Sequence, residues 1–163
     1  MSTWEETGAE APIHFAGATL DRYRHVCAFF NGDEEEQRVL GPFVQEGFTH
    51  GEKAFHIVDP AQRTSYLQRF ADWGIDPVGT QDRGQLEVRT WDEAYLRGGH
   101  FDQDAMLALI EEVLRNGPTQ GFPRTRLVAH MEWALEDRPG VDDLVVYETR
   151  LNFVLPRYRD PVF

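Results

Sequence analysis

Apolar positions along this chain alternate between two spacings. Residues 24–30 (Arg-His-Val-Cys-Ala-Phe-Phe) form a short run rich in aromatics, the pattern of a buried strand. Asn31-Gly32 marks a turn, and a helical spacing follows from Asp33 to about His50, with Val39, Leu40, Phe43, Val44 and Phe48 on one face. Asp33 and Glu36 have capping-box spacing, Pro42 predicts a kink or a late start, and Gly51 ends the element.

The alternation repeats three times. Residues 53–59 predict a second strand, and a helix with Pro60 in its first turn carries Tyr66, Leu67, Phe70 and Trp73 before Gly74. Residues 86–91 predict a third strand, and 92–101 a loop or short helical turn. Asp102 then caps a helix striped by Met106, Leu107, Leu109, Ile110, Val113 and Leu114. Residues 125–133 predict a fourth strand and 141–155 a fourth helix; 159–163 reads like the beginning of one more strand. Strands separated by helices of this length imply parallel βαβ units, so the expected fold class is α/β, a doubly wound, mainly parallel sheet with helices on both faces. Residues 1–20 lack periodicity and predict a loosely ordered lead-in, leaving 21–163 as a single domain.

Charge narrows the function classes. Sixteen basic against 28 acidic residues leave a formal charge of −12, and Lys53 is the only lysine. Binding to nucleic acid or to an anionic membrane rests on neutralising phosphates, so neither is expected as a partner. No apolar run approaches the length of a membrane span, and the acidic N-terminus lacks the basic and apolar regions of a signal peptide. A single cysteine, Cys27, excludes an intramolecular disulfide, and a reducing, cytoplasmic location is expected.

Strand, tight turn and helix at 24–36 is the layout of a phosphate-binding loop, but the chemistry is missing. Such a loop needs several glycines followed by Lys and Ser/Thr. Here Asp33, Glu34, Glu35 and Glu36 occupy the helix start, where they suit its dipole and would repel a triphosphate. The four carboxylates read as a solvated helix start more readily than as a patch for a partner.

In an open parallel sheet, ligands sit outside the carboxyl ends of the strands. That rule selects Phe29, Phe30 and Asn31 from strand one, Asp59 from strand two, Trp91 and Tyr95 from strand three, and Met131, Glu132 and Trp133 from strand four. Aromatics with a few polar handles make a small-molecule pocket, or equally a core beneath loops. Glu132 stands where nucleotide hydrolases keep a catalytic carboxylate; pairing with Arg126 or Arg150 is the simpler role. His25, Cys27, His56 and His130 offer a weak metal or haem set, spread over separate strands and lacking a CxxC or HExxH. Cys27, expected mid-strand and buried, makes a poor nucleophile. No GxSxG is present, so no catalytic residue and no cofactor is assigned.

Taken in order, Arg24-His-Val-Cys-Ala-Phe-Phe30, Phe43-Val-Gln-Glu-Gly47, Gly51-Glu52, His56-Ile-Val-Asp59, Gly84-Gln-Leu86, Ala94-Tyr95-Leu96, Phe101-Asp102, Met131-Glu-Trp133 and Tyr147-Glu148 resemble the MEDS domain, the DcmR-type sensory domain of prokaryotic signalling proteins. The resemblance implies a RecA/KaiC-like fold without a working P-loop, sensing of a simple hydrocarbon derivative, and no enzymatic activity. It also implies a signalling partner protein as the output and leaves room for a homo-oligomer. Members usually continue past the position of Phe163 into a strand carrying a Cys and a Tyr-Asp pair, absent here. Two other classes stay open: an interaction module of a sigma-factor/anti-sigma switch, and a metal-dependent or residual nucleotide-hydrolysing enzyme.

Overall fold

The computed structural model describes residues 10–163. Part of the predicted lead-in, residues 1–9, lies outside the described residues; the rest is ordered as a hairpin. Strands β1 (Ile13–Phe15) and β2 (Ala18–Leu20) pair antiparallel across a turn at Ala16-Gly17. Three-residue strands have little stability of their own. This pair is held by packing: Ile13 is fully buried, and the Phe15 ring meets Phe43 and Phe163 at centroid distances of 5.8 and 4.4 Å.

The body of the chain is a mixed α/β domain. Helix α1 (Asp33–Thr49) runs through Pro42 and leads into β3 (Lys53–Val58). A single 3-10 turn begins at Pro60, with the Asp59 carboxylate accepting from Ala61 N, and passes into α2 (Arg63–Asp72). A short helix unanticipated from the sequence, α3 (Pro77–Asp82), is capped by Asp76. Then come β4 (Leu86–Thr90), α4 (Gln103–Thr119), β5 (Thr125–Ala129) and α5 (Leu144–Val154).

The sheet has the order β4-β3-β5, all parallel, with Ala54 beside Leu86 and Arg126. Every residue of β3 is buried, as a central parallel strand between two helical layers must be. Ala54 and Val58 face a core with Leu40, Phe43 and Val44 of α1 and Tyr66 and Phe70 of α2. Phe55 and Ile57 face the other core, with Met106, Ile110 and Leu114 of α4 and Tyr147 and Leu151 of α5.

The sheet continues beyond β5 by single bridges. Val162 bridges both Leu127 and His25, parallel to each. The predicted beginning of a strand at 159–163 is therefore paired, and short. The buried strand predicted at 24–30 is corrected: only His25 takes part in the ladder, and Phe29 is 90% exposed. A one-dimensional apolar run does not say whether a covering layer exists, and Cys27, Ala28 and Phe29 in the middle of this one are exposed.

The capping box at Asp33 is also absent. Gly32 caps α1 without a side-chain bond, and Glu35 instead accepts from the backbone and side-chain amides of Asn31 at 2.7 and 2.8 Å. Those bonds hold the Glu35 carboxyl below its usual range.

Candidate functional site

Leaving β3, the chain crosses to β4 on one side and later to β5 on the other. The crevice between the carboxyl ends of β3 and β5 is thus the point where the winding reverses, where open α/β sheets place their sites. A cluster of charged and aromatic side chains fills it. Glu36 from the first turn of α1 lies 3.1 Å from Arg69 Nη1 of α2 and 3.4 Å from His130 Nε2, just past β5. Arg69 Nη2 also meets Asp33 at 3.3 Å. Its guanidinium lies over the Tyr66 ring, whose other contacts include the His130 imidazole at 5.1 Å.

Beneath this layer Tyr66 Oη sits 2.8 Å from Nδ1 of His56, which is fully buried in β3. Burial pushes the His56 imidazole down to about 3, helped by His130, and lifts the Tyr66 phenol well above its usual value. His56 is therefore neutral, and its Nε2 has no partner among the described residues. Glu132 lies 3.6 Å from His130 Nδ1, and that imidazole holds its carboxyl low.

A ring cluster occupies the other face at the same end of the sheet. Trp91 closes β4 and donates from Nε1 to His130 O at 2.9 Å, spanning the end of β3. Trp133 stands in a 3-10 turn over Glu132–Leu135 and is fully buried. Its ring lies 5.0 Å from Tyr95 and 5.2 Å from Phe101, and Phe101 lies 5.4 Å from Tyr147 of α5. Burial raises the Tyr95 and Tyr147 phenols far above normal, and each is neutral. Trp133 Nε1 and Tyr147 Oη make no hydrogen bond of normal geometry among the described residues, although the Tyr95 hydroxyl lies beside that of Tyr147. Two such donors in an aromatic core are costly, by about 1–3 kcal/mol each.

Gly140 sets one wall of this cluster. Its φ is +88°, and a Cβ there would fall 2.3 Å from Phe101 O. Phe101 N in turn donates to Pro139 O at 2.9 Å. Gly140→Ala is expected to cost at least about 1–2 kcal/mol from the left-handed backbone alone, more from the overlap, and to loosen Phe101. Urea unfolding and near-ultraviolet dichroism of the aromatic bands check this; an unchanged midpoint would refute it.

The predicted site residues do not assemble as one pocket. Trp91, Tyr95 and Trp133 do come together, with Met131 packed against the same core. Phe30 packs in the opposite core with α1 and α2, Phe29 projects into solvent, Asn31 is engaged by Glu35, and Asp59 caps a 3-10 turn. The predicted pairing of Glu132 with an arginine does not form. Arg126 is held by Glu46 and Glu52, and Arg150 by Asp104 at 2.7 Å. Strand four ends at Ala129 rather than Trp133, which turns Glu132 outward and Trp133 inward.

Of the metal candidates, His56 and His130 both touch the Tyr66 ring. His25 lies at the far sheet edge between Asn152 and Glu148 of α5, and Cys27, expected buried, is exposed. Among the described residues no three His, Cys, Asp or Glu side chains converge as a metal site. No helix of the described residues is long and apolar enough to cross a membrane.

Glu36, Tyr66, Arg69, Phe101 and Tyr147 escaped the strand-end rule because helices or loops carry them. Glu36 left a trace: it lies four residues before Leu40 and seven before Phe43, on the buried stripe of α1.

A three-stranded parallel sheet flanked by helices, with a paired-charge cluster at the reversal point and an aromatic cluster beside it, defines a mixed α/β domain. The family described as MEDS, MEthanogen/methylotroph, DcmR Sensory domain, matches residues 24–160, nearly the whole chain. The chain belongs to this family and carries a sensory domain. No curated protein and no solved structure matches it.

Proposed function

We propose that this domain is a non-catalytic sensor of prokaryotic signal transduction, RecA/KaiC-like in ancestry but without a phosphate-binding loop. It takes up a simple hydrocarbon derivative at the aromatic cluster and passes occupancy to a partner protein. Membership in the sensory family supports the role, and one observation carries the site: Trp133 Nε1 and Tyr147 Oη are buried donors without a hydrogen bond of normal geometry, walled by Tyr95 and Phe101. A small ligand bearing an oxygen acceptor would satisfy both and wedge the rings apart, shifting the population of two packings. Glu36 and Arg69 neutralise each other, with the His130 imidazole beside them, which suits a structural role at the reversal point better than hydrolysis.

A thermal-shift panel of small oxygenated and halogenated hydrocarbons, with ATP and magnesium alongside, tests the proposal. Saturation at 100 times the dissociation constant adds about 2.7 kcal/mol of stability, a rise of several degrees for a domain of this size. Trp133→Phe and Tyr147→Phe should each weaken an oxygenated ligand about tenfold, the worth of one net hydrogen bond. Undiminished binding in both variants would move the ligand elsewhere. Silence across the panel would favour a protein-interaction module, and a shift with ATP alone a nucleotide enzyme.

A further inference from the structure

The exposed apolar segment after His25 is the edge of the sheet. Val26 N donates to Val162 O at 2.9 Å and Val162 N to Arg24 O at 2.8 Å, so residues 24 and 26 turn their hydrogen-bonding groups inward. In a parallel ladder the alternate residues then turn theirs outward. Among the described residues, His25 and Cys27 have no backbone partner on that outer side. Asn152 and Glu148 of α5 cover the His25 side chain at 3.0 and 3.3 Å and reach no further, leaving Cys27, Ala28 and Phe29 exposed. Natural edges are blunted with charge, proline or a covering element. This one presents Cys27, Ala28 and Phe29 bare between the half-buried Val26 and Phe30.

We propose that the edge at 24–30 pairs with the same edge of a second copy of this chain, antiparallel about a two-fold axis near Ala28. The charges around the segment specify both the occupant and the direction. Arg22 precedes the apolar run and Glu34 follows it at the start of α1, while the neighbouring Arg24 and Asp33 are already paired with Glu10 and Arg69. A two-fold contact requires a surface complementary to itself. Antiparallel apposition sets the basic end of each copy against the acidic end of the other, whereas parallel apposition would set like on like. Arg22 and Glu34 are both exposed, and neither has an ion-pair partner among the described residues. With Ala28 on the axis, Cys27 faces Phe29 of the second copy. The net charge of −12 opposes unspecific association, so the local match of charges selects the contact. Helix α5 touches this edge through Glu148 and Asn152 and the aromatic cluster through Tyr147, and so joins the two surfaces.

Cys27 reports on the arrangement directly. In the register centred on Ala28 the two Cys27 side chains lie on one diagonal, about 7–8 Å apart, within reach of a short bismaleimide. Sedimentation equilibrium should give about twice the chain mass of 18.8 kDa, and the reagent should yield a covalent dimer. Phe29→Lys should abolish both results while leaving the far-ultraviolet dichroism spectrum unchanged, because within its own chain the side chain is 90% exposed. Arg22→Glu should weaken the dimer about tenfold from two rim pairs, and adding Glu34→Arg should restore it. A monomer at the highest soluble concentration, a cross-link that survives Phe29→Lys, or a charge reversal without effect would each overturn the proposal. The outcome does not depend on whether the aromatic cluster binds a ligand.

Discussion

Replacing Arg126 with methionine is expected to cost about 3–5 kcal/mol, the range seen when one partner of a buried ion pair is removed. Arg126 is almost wholly buried at the amino end of β5. Its Nε meets Glu52, its Nη1 lies 2.9 Å from Glu46 and donates to Phe43 O at 2.7 Å, and its guanidinium stacks 4.6 Å from the Phe43 centroid. Glu52 is equally buried and would keep Arg124, 3.0 Å away, with the His50 imidazole at 3.9 Å. Methionine fills most of the volume, so the loss reports the stranded carboxylate rather than a cavity. Urea denaturation should show a lower midpoint with an unchanged slope. Arg126→Met combined with Glu52→Gln should recover part of the loss, since the stranded charge is gone. Arg126→Lys should fall between, because an ammonium cannot fork between two carboxylates and a carbonyl. A loss below about 1 kcal/mol would mean that solvent reaches this end of the sheet and screens the pair.

The second large effect is acid sensitivity from His56. Its folded-state value is pushed down to about 3 by burial, against 6.5 for the ordinary side chain. The unfolded chain therefore binds a proton that the folded one refuses. Its contribution to stability is whole above about pH 6.5 and falls by about 1.4 kcal/mol for each unit of pH below that, until about 3. Asp160 acts in the opposite sense. Burial lifts its carboxyl to about 6 despite the Thr125 amide 2.5 Å away, so the folded chain holds a proton more tightly and gains stability as pH falls through 6. The two contributions partly cancel, and the His56 share is isolated by difference. His56→Asn keeps an acceptor near Tyr66 Oη and should flatten the difference in stability between pH 6.5 and 4, from a lower starting value. Parallel pH profiles for the two proteins would show that His56 already finds a proton in the fold.

Strands at 53–58, 86–90 and 125–129 and helices at 33–49 and 103–119 were legible because each combines a clear apolar period with a start or stop residue. The helix at 77–82 carried the right signal, Asp76 before Pro77, but is too short for a period to show. The 13–20 hairpin was illegible because its order comes from packing on α1 rather than from its own alternation. The opposite error at 24–30 has the same root: periodicity reports that a surface is apolar, not that something covers it. At the site, aromatic residues at strand ends could be found by rule, and Trp91, Tyr95 and Trp133 do meet. The pairings Glu36–Arg69, Glu36–His130 and Arg126–Glu52 could not, since each joins charges far apart in sequence that only the crossing of helix over sheet brings together.

The place of Val162 between β5 and residue 25 also constrains the order of folding. Arg24 contacts Arg159, 135 positions further along the chain, one of the longest loops the chain closes. During synthesis the hairpin, α1 and β3 can begin to pack while the ribosome is still at work, but segment 24–26 has nothing to pair with until residues 161–163 have emerged. For most of translation this apolar stretch is exposed, so it is where a nascent-chain chaperone would bind and where misassembly between neighbouring chains would begin.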